Sequence, residues 1–207
     1  MNEIQKLEVR LKEGKIDALR YHHLKSGIYY MASDKAYLLG DEEKCKEYIN
    51  ISIDNQLEAI RIGEENPSAD EYILDCLKRD RKENALVYCA VAVDREEDAR
   101  RLVMEEHCIQ HLLNNELDII REQFVEEKED SGFSQILLAI CNHDNKALRK
   151  AVEDRVSMLR RQSVDYFRAL DIWSVACIKI AQKMGMKWEG HLIEIPEFLL
   201  DGNGGNL

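Results

Sequence analysis

The stretch CKEYINISIDNQLEAI, residues 45–60, decides the fold class, because its apolar residues return at the spacing of an α-helix. The residues on this stripe are Cys45, Ile49, Ile53, Leu57 and Ile60. Residues three or four positions apart share one face of a helix, so the stretch predicts a long amphipathic helix with one buried side. Gly40 followed by Asp41 predicts the end of the preceding helix and the N-cap of this one.

The same helical spacing recurs along most of the chain and predicts an all-α protein. The clearest further stripe consists of Ile109, Leu113, Leu117, Ile120 and Phe124. Almost wholly apolar segments at 84–93 and 172–181 predict central, buried helices. Only two prolines and ten glycines occur in 207 residues, so few residues that break helices interrupt the pattern.

Two segments repeat the same order of features, which predicts paired helices. The apolar segments 90–93 and 138–141 are each followed by a polar turn and then by an amphipathic helix. Ala99 of the first unit corresponds to Ala147 of the second, 48 positions later. Such pairs are the units of helical repeat proteins, so we expect an array of antiparallel helical hairpins. An ordinary helical bundle remains the alternative.

The C-terminal part departs from the helical pattern. Residues 188–200, which contain Pro196, are expected to form an extended segment that packs back on the helices. We expect a single domain over residues 1–201 and a flexible tail at 202–207. The sequence leaves the oligomeric state open.

Composition excludes several classes of function. Forty acidic and 29 basic residues give a formal net charge of −11, which opposes binding to nucleic acid or to an anionic membrane. The longest apolar run, 85–93, has nine residues, whereas a membrane-spanning helix needs about 20. The six cysteines lie in apolar helical runs without a CxxC pair, which predicts buried free thiols in a cytoplasmic, reducing compartment.

His107 and His111 are the candidate metal ligands, because side chains four residues apart on a helix point the same way. The metalloprotease pattern needs a Glu directly after the first His, and Cys108 stands there instead. A lone pair of histidines is also common on ordinary helices, so we expect neither a metal nor another cofactor. Asp171, within an apolar segment, is expected to be a buried carboxylate or one satisfied by a neighbour such as Arg168 or Tyr166.

The sequence contains no GxSxG, GxxxxGK[ST] or GxGxxG motif, so we assign no catalytic residue and expect a protein that is not an enzyme. One acidic stretch is the candidate contact for a basic partner. It comprises Glu126, Glu127, Glu129 and Asp130. Complementary charge speeds encounter and selects partners, although a solvated loop is the simpler interpretation.

The C-terminal half carries a resemblance to a known family. An apolar helix ends in a polar turn at 137–144, an amphipathic helix follows at 147–160, and a helix rich in small residues lies at 172–184. The closing segment is IPEFLL, residues 195–200. Over roughly residues 84–200 this order resembles the immunity proteins of bacterial polymorphic toxin systems, best the forty-ninth immunity family.

The resemblance implies a cytoplasmic protein that binds a cognate toxin, for example a basic nuclease, and neutralises it by steric and electrostatic blockade. It carries over no catalytic residue. Two other functions stay open: a helical interaction scaffold or regulator of another kind, and a metal-dependent helical enzyme centred on His107 and His111.

Overall fold

The computed structural model describes six stretches of the chain, residues 3–66, 70–83, 85–103, 107–125, 132–161 and 170–200. Every helix or strand element in these stretches is an α-helix, apart from one isolated bridge between Leu192 and Ile195, so the all-α prediction is confirmed. The chain forms two compact units, residues 1–104 and 105–207. The expectation of one domain over 1–201 stays a prediction.

The helices described in the first unit are α1 (Glu3–Lys12), α2 (Ala18–Leu38), α3 (Glu42–Glu65), α4 (Glu71–Glu83), α5 (Ala85–Ala92) and α6 (Glu96–Leu102). The apolar stripe of residues 45–60 lies in α3, and its five residues are buried as predicted. Ser68, which with Glu71 would form a capping box before α4, lies outside the described residues.

Helices α2 and α3 form an antiparallel pair. The contacts between them are His22 with Asn55, Ser26 with Ser52, and Tyr29 with Tyr48. Residue numbers along α3 therefore decrease as those along α2 increase. At the centre of the pair, Ser26 Oγ donates to the Ser52 carbonyl at 2.9 Å, and Ser52 Oγ donates to the Ser26 carbonyl at 2.8 Å. Each buried hydroxyl therefore donates its hydrogen bond to a carbonyl of the other helix, where no water is available as a partner.

The turn between α2 and α3 follows the predicted pattern of helix stop and N-cap. Gly40 has φ +73°, a conformation that glycine adopts without strain, and the Asp41 amide donates to the Ala36 carbonyl at 3.0 Å. The Asp41 carboxylate then accepts from the Lys44 amide at 3.1 Å and caps α3.

The helices described in the second unit are α7 (Cys108–Leu113), α8 (Leu117–Val125), α9 (Phe133–Cys141), α10 (Asn145–Arg161), α11 (Ile172–Lys183) and α12 (Glu197–Leu200). The stripe from Ile109 to Phe124 is divided between two helices, α7 and α8. Asn115 adopts φ 59°, which Asn tolerates better than most residues, and the Glu116 amide closes the end of α7 on the His111 carbonyl.

The internal repeat exists as a local motif, but its register differs from the one expected. Asp94 ends α5 with φ 62° and His143 ends α9 with φ 49°, so the equivalent positions are 49 residues apart, not 48. Ala99 therefore corresponds to Leu148, and both are buried, whereas Ala147 is exposed. Helices α5 and α6 pack together, as do α9 and α10; their stacking into an array stays a prediction.

The segment after α11 packs on the second unit, as predicted. Met186, Ile195 and Leu199 are buried, and the Lys187 amide donates to Asn145 Oδ1 at 3.0 Å. The segment ends in the single helical turn α12, which was not expected. Helix α11 begins at Ile172 with Asp171 as its N-cap. The tail at 202–207 lies outside the described residues.

Candidate functional site

A cavity of about 620 Å³ opens in the first unit between α1, α2, α3 and the start of α5. We call it the α1–α2 groove. Its apolar wall includes Leu7, Leu24, Ile28, Met31 and Leu86, and its polar wall includes Lys6, Arg10, His23, Tyr30 and Gln56. A concave apolar surface with a few polar groups is the usual form of a ligand site.

Two glycines within helices show that the groove is open space and not a packing contact. A Cβ added to Gly63 of α3 would lie 2.9 Å from Leu74 Cδ2, so Gly63 allows α4 to pack closely. A Cβ added to Gly27 of α2 would meet nothing within 4 Å, and Gly27 lines the groove. Glycine in a helix interior destabilises the helix by about 1 kcal/mol relative to alanine. At Gly27, no close packing contact within the described chain compensates for this loss.

Gln56 is the most informative polar residue of the groove. It is only 2% exposed, and its carboxamide forms no hydrogen bond with any residue that the structure describes. The adjacent Asn55 is satisfied, since its side chain contacts His22 at 2.9 Å and donates to the Ile51 carbonyl at 2.7 Å. A carboxamide without a protein partner at the wall of an open groove is left to bond water, so Gln56 marks where a bound group would take the place of that water.

The mouth of the groove carries positive charge on α1. Lys6 pairs with Glu3 at 2.6 Å, and both side chains are exposed. Arg10 is exposed and forms no ion pair within the part of the chain that the structure describes. On a chain with a formal net charge of −11, this end of the groove has the opposite sign and would attract an anionic group.

The candidate metal ligands His107 and His111 have other partners. His107 precedes α7 as its N-cap, and its Nδ1 accepts from the Ile109 amide at 3.2 Å, so the two histidines do not share a helix as expected. His111 Nδ1 lies 2.7 Å from Glu116 Oε2. Burial and the neighbouring His111 lower the pKa of His107. Within the described ranges, no three His, Cys, Asp or Glu side chains are grouped so as to hold a metal.

Asp171 is buried, and its carboxylate is paired with an arginine. A neighbour such as Arg168 or Tyr166 was expected in this role, but the observed partner is Arg155. Arg155 of α10 donates to both carboxylate oxygens, at 3.0 and 3.2 Å, and Ser174 Oγ donates at 2.6 Å. Arg155 also lies over the rings of Phe133 and Trp173. Arg168 and Tyr166, the neighbours named from the sequence, lie outside the described residues.

The thiols are free, and all but Cys108 are buried. Burial raises the pKa of Cys45 to about 12 and also raises the pKa of Cys89, Cys141 and Cys177. These four thiols are therefore held in their unreactive protonated form. The expectation of buried free thiols holds for every cysteine except the half-buried Cys108.

The predicted acidic contact cannot be placed. Glu126, Glu127, Glu129 and Asp130 lie outside the described residues, and their role stays a prediction. Sequence reasoning missed the groove, although two signals were present. Gln56 is a polar residue on the buried stripe of α3, and Gly27 is a glycine inside an otherwise regular helix.

No family model, no curated protein and no solved structure matches this chain. Among the described helices, none combines the length and apolarity that crossing a bilayer requires. Function therefore has to be argued from the residues of this chain alone.

Proposed function

We propose that this protein is a cytoplasmic immunity protein, which binds a cognate toxin and blocks its active surface. The observation that carries the proposal is a pair of leucines at the turn between α2 and α3. Leu38 is 64% exposed and Leu39 is 84% exposed. The two side chains form a small exposed apolar patch on a highly charged chain, and an apolar patch of this kind is a candidate for a surface that a partner covers.

The turn itself does not need these leucines. Its geometry comes from Gly40 and Asp41, which end α2 and cap α3 through backbone and carboxylate hydrogen bonds. The antiparallel pair α2–α3 provides a rigid base, so the exposed side chains are presented without a large loss of conformational freedom on binding. The resemblance of residues 84–200 to immunity proteins supports a toxin as the partner. The acidic charge supports a basic one.

Co-expression with the product of the adjacent gene tests this function. We expect the wild-type chain to protect cells from that product, and we expect Leu38→Glu/Leu39→Glu to lose both protection and binding. The control is Ile193→Glu, which makes one substitution of the same kind at a 77% exposed apolar residue of the second unit. It should protect as the wild type does.

Three outcomes separate the alternatives. Protection by the double variant would refute the leucine turn as the contact surface while leaving the immunity function standing. Binding of the product without protection would favour a scaffold or regulator. Absence of both binding and protection would remove the proposed function.

A further inference from the structure

We propose that the α1–α2 groove is a binding site for a small amphipathic carboxylate, an apolar chain or ring that bears one anionic head group. This site is independent of the leucine turn and of the proposed partner. The groove volume of about 620 Å³ fits a small organic molecule, for which pockets of about 300–1,000 Å³ are usual.

The apolar body of the ligand packs against α1 and α2. Leu7 faces the groove from α1, and Leu24 and Met31 face it from α2. Gly27 lies between these two α2 residues and leaves the space above the helix backbone empty. Methionine adapts its shape to different apolar surfaces, so Met31 suits a wall that closes on a flexible chain.

The head group is recognised by Gln56 and by the cations of α1. The Gln56 carboxamide is buried and forms no hydrogen bond within the described chain, so its N–H₂ group donates to an oxygen of the ligand. Three charged side chains line the groove: Lys6 is paired with Glu3, and Arg10 supplies the net positive charge. A cationic ligand would face the like charge of Arg10, and an uncharged one would gain nothing from it.

Three probes of equal chain length test the charge requirement: decanoate, decanol and decylammonium, each below its aggregation concentration. Titration is followed by calorimetry and by ¹H–¹⁵N spectra, in which the Gln56 side-chain amide and the Gly27 backbone amide report on the groove. We expect decanoate to bind with shifts at both groups, decanol to bind about tenfold more weakly, and decylammonium to bind most weakly.

Gly27→Leu is the decisive variant. Its side chain enters open space and leucine favours a helix more than glycine does, so the variant should unfold at a temperature no lower than the wild type. It should nevertheless abolish decanoate binding, because the new side chain fills the groove. The control Gln182→Leu adds leucine at an exposed position of α11 and should bind decanoate normally.

Two further variants assign the contacts of the head group. Gln56→Leu removes the donor and should weaken decanoate binding roughly five- to tenfold without lowering stability. Arg10→Glu should weaken decanoate and strengthen decylammonium, whereas Arg161→Glu, an exposed arginine of α10, should change neither. Equal or tighter binding of decanol, or unchanged binding by Gly27→Leu, would overturn the site. Loss of toxin protection by Gly27→Leu with no probe bound would also overturn it and make the groove a partner contact.

Discussion

One helix contact in each unit shows a different chemistry of attachment. In the first unit, α2 and α3 are linked at their centre by the neutral hydroxyls of Ser26 and Ser52. In the second unit, α10 is linked to the region around α11 by two ion pairs, Arg155 with Asp171 and Arg160 with Glu194. Neutral hydrogen bonds contribute modestly and do not titrate, whereas removing one partner of a buried ion pair leaves an uncompensated charge.

The two ion pairs also differ from each other. Asp171 is 2% exposed and its partner Arg155 is largely buried, so both charges have left water. Glu194 is equally buried, but its partner Arg160 is half exposed. The Arg155 pair is therefore the one on which the second unit depends most, and the Arg160 pair is partly screened by solvent.

Asp171→Ala should have the largest effect on stability. The change leaves Arg155 buried without its bidentate partner and removes the N-cap of α11, so we expect a loss of about 3–5 kcal/mol in the free energy of unfolding. Urea unfolding followed by tryptophan fluorescence measures it, because both tryptophans, Trp173 and Trp188, belong to the second unit.

The control for this prediction is Glu153→Ala, which removes the exposed partner of Arg149 on the same helix α10. Exposed pairs contribute about 0–1 kcal/mol, so this variant should unfold almost as the wild type does. A loss for Asp171→Ala no larger than for the control would show that the buried pair does not hold this region together.

The helical spacing of apolar residues was sufficient to predict the fold class and most helices, since it depends only on local periodicity. The prediction failed where the conformation of a single residue determines the position at which a helix ends. Asn115 ends α7 with a positive φ, although the apolar stripe continues through it. The repeat was misaligned by one position for a similar reason, because the residue with positive φ in the second copy is His143 and not Asn142.

The sites were harder to predict because their partners lie far apart in the sequence. Asp171 was expected to find a neighbour three or five residues away, but its arginine comes from 16 residues earlier on another helix. The groove is formed by residues of α1, α2, α3 and α5. The spacing of apolar residues along the sequence cannot predict a cavity between helices that are distant in the chain. Gln56 was visible as a polar residue on an apolar stripe, yet only the structure shows that its side chain has no hydrogen-bond partner in the described chain and lines a groove.

Ser26→Ala should have an intermediate effect, confined to the first unit. It removes the hydroxyl that bonds the Ser52 carbonyl, at a cost of about 0.5–1.5 kcal/mol. Hydrogen exchange of α2 and α3 amides should report this loss, and it should be the same at pH 7 and at pH 4 because no titrating group is involved. Ser26→Ala/Ser52→Ala is the control: the second change should cost less than the first, and strictly additive losses would show that the two hydroxyls do not act as a pair.

The smallest effect is the pH dependence of the Arg160–Glu194 pair. Burial is the largest single influence and opposes ionisation of Glu194, but the hydrogen bonds from Arg160, a backbone hydrogen bond and the charge of Arg160 together outweigh it. They hold the pKa of this carboxyl below its usual value of 4.5. A carboxyl whose pKa is lower in the folded than in the unfolded chain stabilises the fold above pH 4.5, and this contribution is lost as the pH falls through the folded pKa.

We therefore compare the urea unfolding of wild type and Glu194→Gln by tryptophan fluorescence between pH 7 and pH 3. Glutamine retains the size of the side chain but removes the charge that attracts Arg160. The wild type should be the more stable at pH 7, and the difference should shrink below pH 4.5. A difference that stays constant across this range would mean that packing of the C-terminal segment, and not the charge on Glu194, accounts for the stabilisation.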